Sequence, residues 1–186
     1  MSTEPSALRR DPRHIVVMGV SGSGKSSVGL ALSQRIGLRY RDGDDLHPAR
    51  NVEKMRNGQP LTDDDRWPWL DLCGQALRDA SEGLILGCSA LRRVYRDRLR
   101  HTSGHADLAF VYLTGPESLL QSRMQARTAH YMPPALLQSQ LQTLEVPDGD
   151  ENAITISIDQ PVMAMVDQIV ALLHLSGPPG ADGKGR

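Results

Sequence analysis

Residues 15–26 read Ile15-Val16-Val17-Met18-Gly19-Val20-Ser21-Gly22-Ser23-Gly24-Lys25-Ser26, an apolar run that passes directly into the pattern G-x-x-x-x-G-K-S. The run has the length and composition of a buried strand. Val28, Ala31, Leu32 and Ile36 then follow at the three- and four-residue spacing of a helix. In a strand–loop–helix of this kind the glycines let backbone N–H groups turn inward around phosphate oxygens. The lysine reaches the β- and γ-phosphates, and the serine hydroxyl meets Mg²⁺. The helix N-terminus adds the positive end of its dipole. The chain is thus expected to bind a nucleoside triphosphate through Gly19, Ser21, Gly22, Ser23, Gly24, Lys25, Ser26 and Ser27.

The chain has 186 residues and a formal net charge of −1, which predicts one domain with a substantial core and no basic footprint for nucleic acid. No apolar run approaches the length of a membrane span. Cys73 and Cys88 have no metal-type spacing, so a reduced, cytoplasmic setting is expected. Residues 1–13 are polar, lack the apolar core of an export signal and read as a flexible segment. Residues 176–186 are rich in Gly and Pro and read as a disordered tail.

Further apolar runs at Leu84–Ser89, Leu108–Thr114 and Ala153–Ile158 read as buried strands, with a shorter one at Leu38–Asp42. Helical spacing recurs over Pro116–Arg127 and Val162–Leu173. Strands alternating with helices predict an α/β fold, a parallel sheet covered on both faces, over residues 14–175. Two stretches exceed a simple crossover: residues 47–82 and residues 128–146. Insertions at the carboxyl ends of parallel strands are where such folds keep an acceptor site and a lid.

Asp42-Gly43-Asp44 closes the second strand, where one carboxylate can support a metal ion and another can accept a proton from an attacking hydroxyl. Arg66 stands between Asp63-Asp64-Asp65 and the Trp67-Pro68-Trp69 cluster, an arrangement suited to gripping an anion in bidentate fashion. After the third strand, Arg92 and Arg96 are one helical turn apart, and at least one of them is expected to face the cleft; Arg98 and Arg100 read as solvated. Arg123 and Arg127, with His130 just beyond, are placed to close over the nucleotide and stabilise the transferring phosphoryl group. Asp71-Leu72-Cys73-Gly74 lies within a helical stretch and no guanine-recognition motif follows, which argues against a GTPase switch. Asp148-Gly149-Asp150 starts like a calcium loop, but Ala153 takes the place of its glycine.

Together the phosphate loop, Asp42-Gly43-Asp44, Leu46-His47-Pro48, Asn51, Lys54-Met55, Gly58, Pro60-Leu61, Asp63, Asp65-Arg66, Pro68-Trp69-Leu70, Cys88-Ser89-Ala90-Leu91, Tyr95-Arg96-Asp97, the lid arginines and Ser139-Gln140 form an ordered string. It resembles the gluconokinase family from His14 to about Leu173. The resemblance implies a three-layer P-loop kinase fold with a five-stranded parallel sheet flanked by helices, a substrate-binding insertion, a lid and a homodimer. It implies ATP and Mg²⁺ as cofactors and transfer of the γ-phosphoryl group to the 6-hydroxyl of D-gluconate. It assigns catalysis to Lys25, Asp44 and Arg127, Mg²⁺ to Ser26 and Asp42, and the nucleotide to the loop, Arg123, Arg127, Gln160 and Pro161. The acceptor is expected at Asp44, His47, Arg56, Arg66, Arg92, Arg96 and His130. Arg92 stands where the family pattern has Lys, and His130-Tyr131-Met132 is less aromatic than the family's lid segment. The alternatives are a kinase for another hydroxy acid such as shikimate, and a nucleotide-binding regulatory module without turnover.

Overall fold

The computed structural model describes residues 11–126 and 134–177. Its sheet is built from β1 (His14–Met18), β2 (Arg39–Asp42), β3 (Leu84–Gly87), β4 (Ala109–Thr114) and β5 (Ala153–Ser157) in the order β2-β3-β1-β4-β5. Every pairing is parallel. α1 (Lys25–Ile36) follows β1; a 3-10 turn (Gly43–Leu46), α2 (Ala49–Arg56) and α3 (Asp63–Arg78) lie between β2 and β3. α4 (Arg93–Ser103) follows β3, α5 (Glu117–Gln125) and α6 (Pro134–Thr143) follow β4, and α7 (Val162–Leu172) follows β5.

The two-residue period of the strands divides the core into two layers. Ile15 and Val17 of β1 and Val111 and Leu113 of β4 pack with Val28 and Leu32 of α1 and with Val166 and Ile169 of α7. Val16, Met18, Phe110 and Tyr112 point to the opposite face, against Trp69, Leu70 and Leu77 of α3 and Tyr95 and Leu99 of α4. The sheet is therefore covered on both sides, as the alternation of strands and helices required. The expected buried strand at Ala153–Ile158 is instead a one-sided edge strand: Ile154 and Ile156 are buried, whereas Thr155 and Ser157 are exposed.

The register brings the site to one edge. Asp42 pairs with Gly87, which also pairs with Val17, so the ends of β2, β3 and β1 lie side by side. The Gly19 N–H then donates to Ser89 O at 3.3 Å, joining the two strand ends beneath the phosphate loop. Strand order reverses around β1, the position where α/β sheets open a crevice at their carboxyl ends.

Two expectations about the chain ends need correction at their borders. Asp11 donates its N–H to Leu173 O at 2.9 Å and accepts the Ser176 N–H at 3.0 Å. Arg13 donates to Glu82 O. Residues 11–13 and Ser176 are thereby bound to the body of the fold, and residues 1–10 and 178–186 lie outside the described residues. Among the described residues no helix is long and apolar enough to cross a membrane.

Candidate active site

The phosphate loop owes its shape to left-handed backbone at Gly22 (φ 83°) and Gly24 (φ 92°), a conformation that side-chain-bearing residues rarely adopt. Gly24 caps α1 without any side-chain hydrogen bond, so the first N–H groups of the helix are left for an anion. Ser23 Oγ is buried within the loop and has no partner among the described residues. Lys25 Nζ folds over the loop, donating to Gly19 O at 3.1 Å and Val20 O at 3.3 Å. Arg123 of α5 lies beside Gly24 and donates to Ile158 O at 2.9 Å, linking the loop to the segment that leads to Gln160 and Pro161. Gln160 donates to Ser157 O at 2.7 Å and exchanges hydrogen bonds with Gln168; Pro161 caps α7.

Ser26 Oγ donates to Asp42 Oδ2 at 2.7 Å, and Tyr40 OH donates to the same oxygen at 3.2 Å. Asp42 Oδ1 accepts the Asp44 N–H at 3.0 Å. Two hard oxygens, a hydroxyl and a carboxylate, thus meet at the foot of the loop. That donor set suits Mg²⁺, which takes one or two protein oxygens and completes its shell with phosphate and water.

The acceptor side faces the loop across a cleft of about 640 Å³, open mouth included, lined by Ser21 and Lys25 on one side and by Asp44, His47, Arg66 and Trp69 on the other. Asp44 is exposed to the cleft, its side chain 71% accessible. His47 stacks on Trp69 with ring centroids 4.1 Å apart, and Trp69 Nε1 donates to Gly43 O at 2.7 Å. Asn51 donates through Nδ2 to Asp65 O at 2.8 Å; because that partner is a carbonyl, the amide orientation is fixed, and the same Nδ2 donates to His47 Nδ1 at 3.3 Å. The His47 proton therefore resides on Nε2, which lies 4.0 Å from Asp44. Burial, reinforced by the neighbouring Arg66, holds the His47 pKa down to about 4, so its ring is neutral near pH 7.

Arg66 is held from behind. Its Nη1 lies 3.6 Å from Asp63 and donates to Tyr95 OH at 3.2 Å, and Tyr95 donates in turn to Asp63 at 2.5 Å. The α2–α3 corner that frames the cleft is fixed by Asp65, whose carboxylate accepts from Lys54 Nζ at 2.9 and 2.8 Å and from Thr62 N–H at 2.9 Å. Lys54 and Thr62 hold the Asp65 pKa at about 2.

The structure does not bring all the expected acceptor residues together. Asp44, His47 and Arg66 share the cleft. Arg96 is corrected: its side chain is fully buried and is consumed by Glu151 at 2.6 and 2.8 Å, Ala90 O and Glu145 O. Burial alone would raise the Glu151 pKa, but Arg96 holds it below its ordinary value. An uncompensated charge at that depth would be costly, so the pair is structural. Arg92 does not line the cleft; it bridges Asp63 at 2.7 Å and Glu145 at 3.3 Å. Arg56 ends α2 on the exposed side, next to Met55, which does line the cleft. Arg100 is also corrected: it covers the Phe110 ring at 4.7 Å and donates to Glu151 O instead of facing water. Arg98 pairs with Asp71. Arg127 and His130 lie outside the described residues. Asp63 is one of the carboxylates expected beside Arg66, whereas residue type and spacing alone assign no role to Asn51, Tyr95 or the cleft-lining Leu136, Ser139 and Gln140 of α6. Only their place in the ordered string marked most of them.

The AAA domain family matches residues 15–147. A gluconokinase from Gluconobacter oxydans (strain 621H) is 44% identical over 173 residues, covering 91% of this chain and 96% of its own. The crystal structure of a gluconokinase from Sinorhizobium meliloti 1021 is 51% identical with a TM-score of 0.81, over 89% of this chain and 94% of that one. A shikimate kinase from Bacteroides thetaiotaomicron, 16% identical with a TM-score of 0.65 over 87% of this chain and 98% of its own, shares the fold alone. With the phosphate loop, the Asp42–Asp44 turn and the Arg66 pocket assembled on one sheet edge, and with identity of this extent, the chain belongs to the gluconokinase family of P-loop kinases.

Proposed function

We propose that the protein transfers the γ-phosphoryl group of ATP to the 6-hydroxyl of D-gluconate, giving 6-phosphogluconate and ADP. One observation carries this reading: a single cleft is lined at once by Ser21 and Lys25 of the phosphate loop and by Asp44, His47 and Arg66 of the acceptor side. The loop amides and Lys25 hold the triphosphate, and Arg123 with Arg127 closes over it. Ser26 and Asp42 would hold Mg²⁺, which when bound would supply positive charge to stabilise the transferring phosphoryl group. Asp44, exposed beside the loop, accepts the proton of the attacking hydroxyl. Arg66 pairs with the gluconate carboxylate, and neutral His47 offers its Nε2–H to a hydroxyl of the chain. Charge-assisted contacts of about 1.5–3 kcal/mol each suit a small, polar anion that buries little apolar area.

Residues 14–175 act as one catalytic unit in this reading, with 47–82 selecting the acceptor and 128–146 forming the lid. The enzyme works in the cytoplasm as a homodimer, as its family pattern implies. ADP release with ATP and Mg²⁺, measured against D-gluconate, other aldonates, shikimate and neutral sugars, tests the assignment. Turnover with gluconate well above all others is expected. Preference for shikimate, or tight ATP binding without turnover on any acid, would overturn it.

A further inference from the structure

The Ser139-Gln140 pair is where α6 meets the phosphate loop. Gln140 Oε1 accepts the Ser21 N–H at 2.7 Å across 119 residues of sequence. Leu136, Ser139 and Gln140 follow the i, i+3, i+4 spacing of one helix face and line the cleft, while Leu137 is buried in the core. The far end of this segment is anchored separately. Glu145 donates its N–H to Leu91 O at 2.7 Å, its carboxylate accepts the Arg93 N–H at 2.7 Å, and Arg96 donates to Glu145 O at 3.0 Å. The helix is thus clamped to the segment after β3, and Gln140 sets its register against the loop.

Because Ser21 N–H is a donor, the amide oxygen of Gln140 must face it, and the Nε2 group lies on the other limb of the amide. No partner for Nε2 occurs among the described residues, so its two hydrogens are available to a ligand in the cleft that Gln140 lines. This is the junction between Lys25 of the loop and Asp44 and His47 of the acceptor side.

We propose that Gln140 is a positioning and specificity residue for the acceptor: its Nε2 donates to the hydroxyl oxygen adjacent to the one phosphorylated, and its Oε1 contact with Ser21 keeps that donor in register with the loop. The inference rests on the phosphotransfer reading above and deepens it. Gln140 is half-buried at the cleft wall, and once an acceptor fills the cleft its donor is shielded from water; an acceptor lacking the matching hydroxyl then leaves that donor unpaired and is disfavoured.

The test compares kcat/KM for D-gluconate and for 5-deoxy-D-gluconate in the full-length wild-type enzyme and in Gln140→Ala and the near-isosteric Gln140→Met. The wild type is expected to prefer gluconate by about tenfold or more. Both variants should lose most of that preference, chiefly by slowing turnover of gluconate, while the Kd for a fluorescent ATP analogue stays within about twofold. An undiminished preference, or equal losses on both acceptors together with weakened nucleotide binding, would overturn the proposal and leave Gln140 as a packing contact. A wild-type enzyme that phosphorylates neither acid would instead overturn the functional reading itself. If Gln140→Ala fails to fold, Gln140→Met carries the measurement.

Discussion

The phosphate loop presents its donors from consecutive residues, Gly19–Ser26, on one backbone turn, whereas the acceptor side gathers Asp44, His47 and Arg66 from the end of β2 and from α3. The loop is held by glycine geometry and by the start of a helix, and beside the side chains of Lys25 and Ser26 its binding groups are main-chain N–H groups, whose chemistry no substitution can retype. The acceptor side is a relay of side chains: Asp63 and Tyr95 hold Arg66, Asn51 holds His47, and Trp69 supports the ring. A backbone site of the first kind serves any triphosphate. A side-chain site of the second kind can be retuned residue by residue, and so it is where the choice of acceptor resides.

Substitutions can break this contrast, the most damaging being Lys25→Ala. It should lower kcat by about a hundredfold to a thousandfold for every acceptor, since it removes a charged donor at the transferring group. Retained turnover in an ADP-release assay would show that the loop does not carry the reaction. Arg66→Ala should act on one side only, raising the gluconate KM by about tenfold to a hundredfold, the size of a lost charge-assisted contact, with the ATP KM unchanged. A matching rise in the ATP KM would mean that the two sides are not separable.

A smaller effect concerns His47. Titrated by NMR in the free enzyme, its ring is expected to protonate near pH 4, and Arg66→Ala should raise that value. The sign for stability follows from linkage. Below about pH 6.5 the unfolded chain takes up a proton that folded His47 refuses until about pH 4, so this contribution is intact above pH 6.5 and declines between the two values. A folded-state value at or above 6.5 would show that His47 is neither buried by Trp69 nor repelled by Arg66.

Much of this was legible in the residues themselves. The strand–loop–helix, the alternation that makes the sheet and the strand-end aspartates all depend on local spacing, and local spacing is what a sequence displays. The expectations for Arg92, Arg96 and Arg100 fail for one reason: each guanidinium is claimed by partners distant in the sequence. Arg96 and Arg100 were judged by their helix face and by the general solvation of arginine, but Glu151, more than fifty residues later, turns toward α4 and draws both guanidinium groups inward. Ala153–Ile158 is apolar enough for a central strand, yet its place at the edge of the sheet leaves Thr155 and Ser157 in water. The pull of Glu151 has no signature in the residues around Arg96 and Arg100, whereas the one-sided strand does: Ile154-Thr155-Ile156-Ser157 alternates apolar and polar with the period of a half-buried strand.

The sequence by itself determined the parallel α/β sheet, the triphosphate loop and the set of groups from which an acceptor site is made, because strand period, glycine spacing and residue type are properties of the chain over a few turns. Only the tertiary structure decided which arginine enters the cleft, that His47 is a neutral Nε2–H donor, and that Gln140 meets Ser21. Each of those depends on a partner brought near by folding, and burial and pairing act through distance in space, which the order of residues does not state.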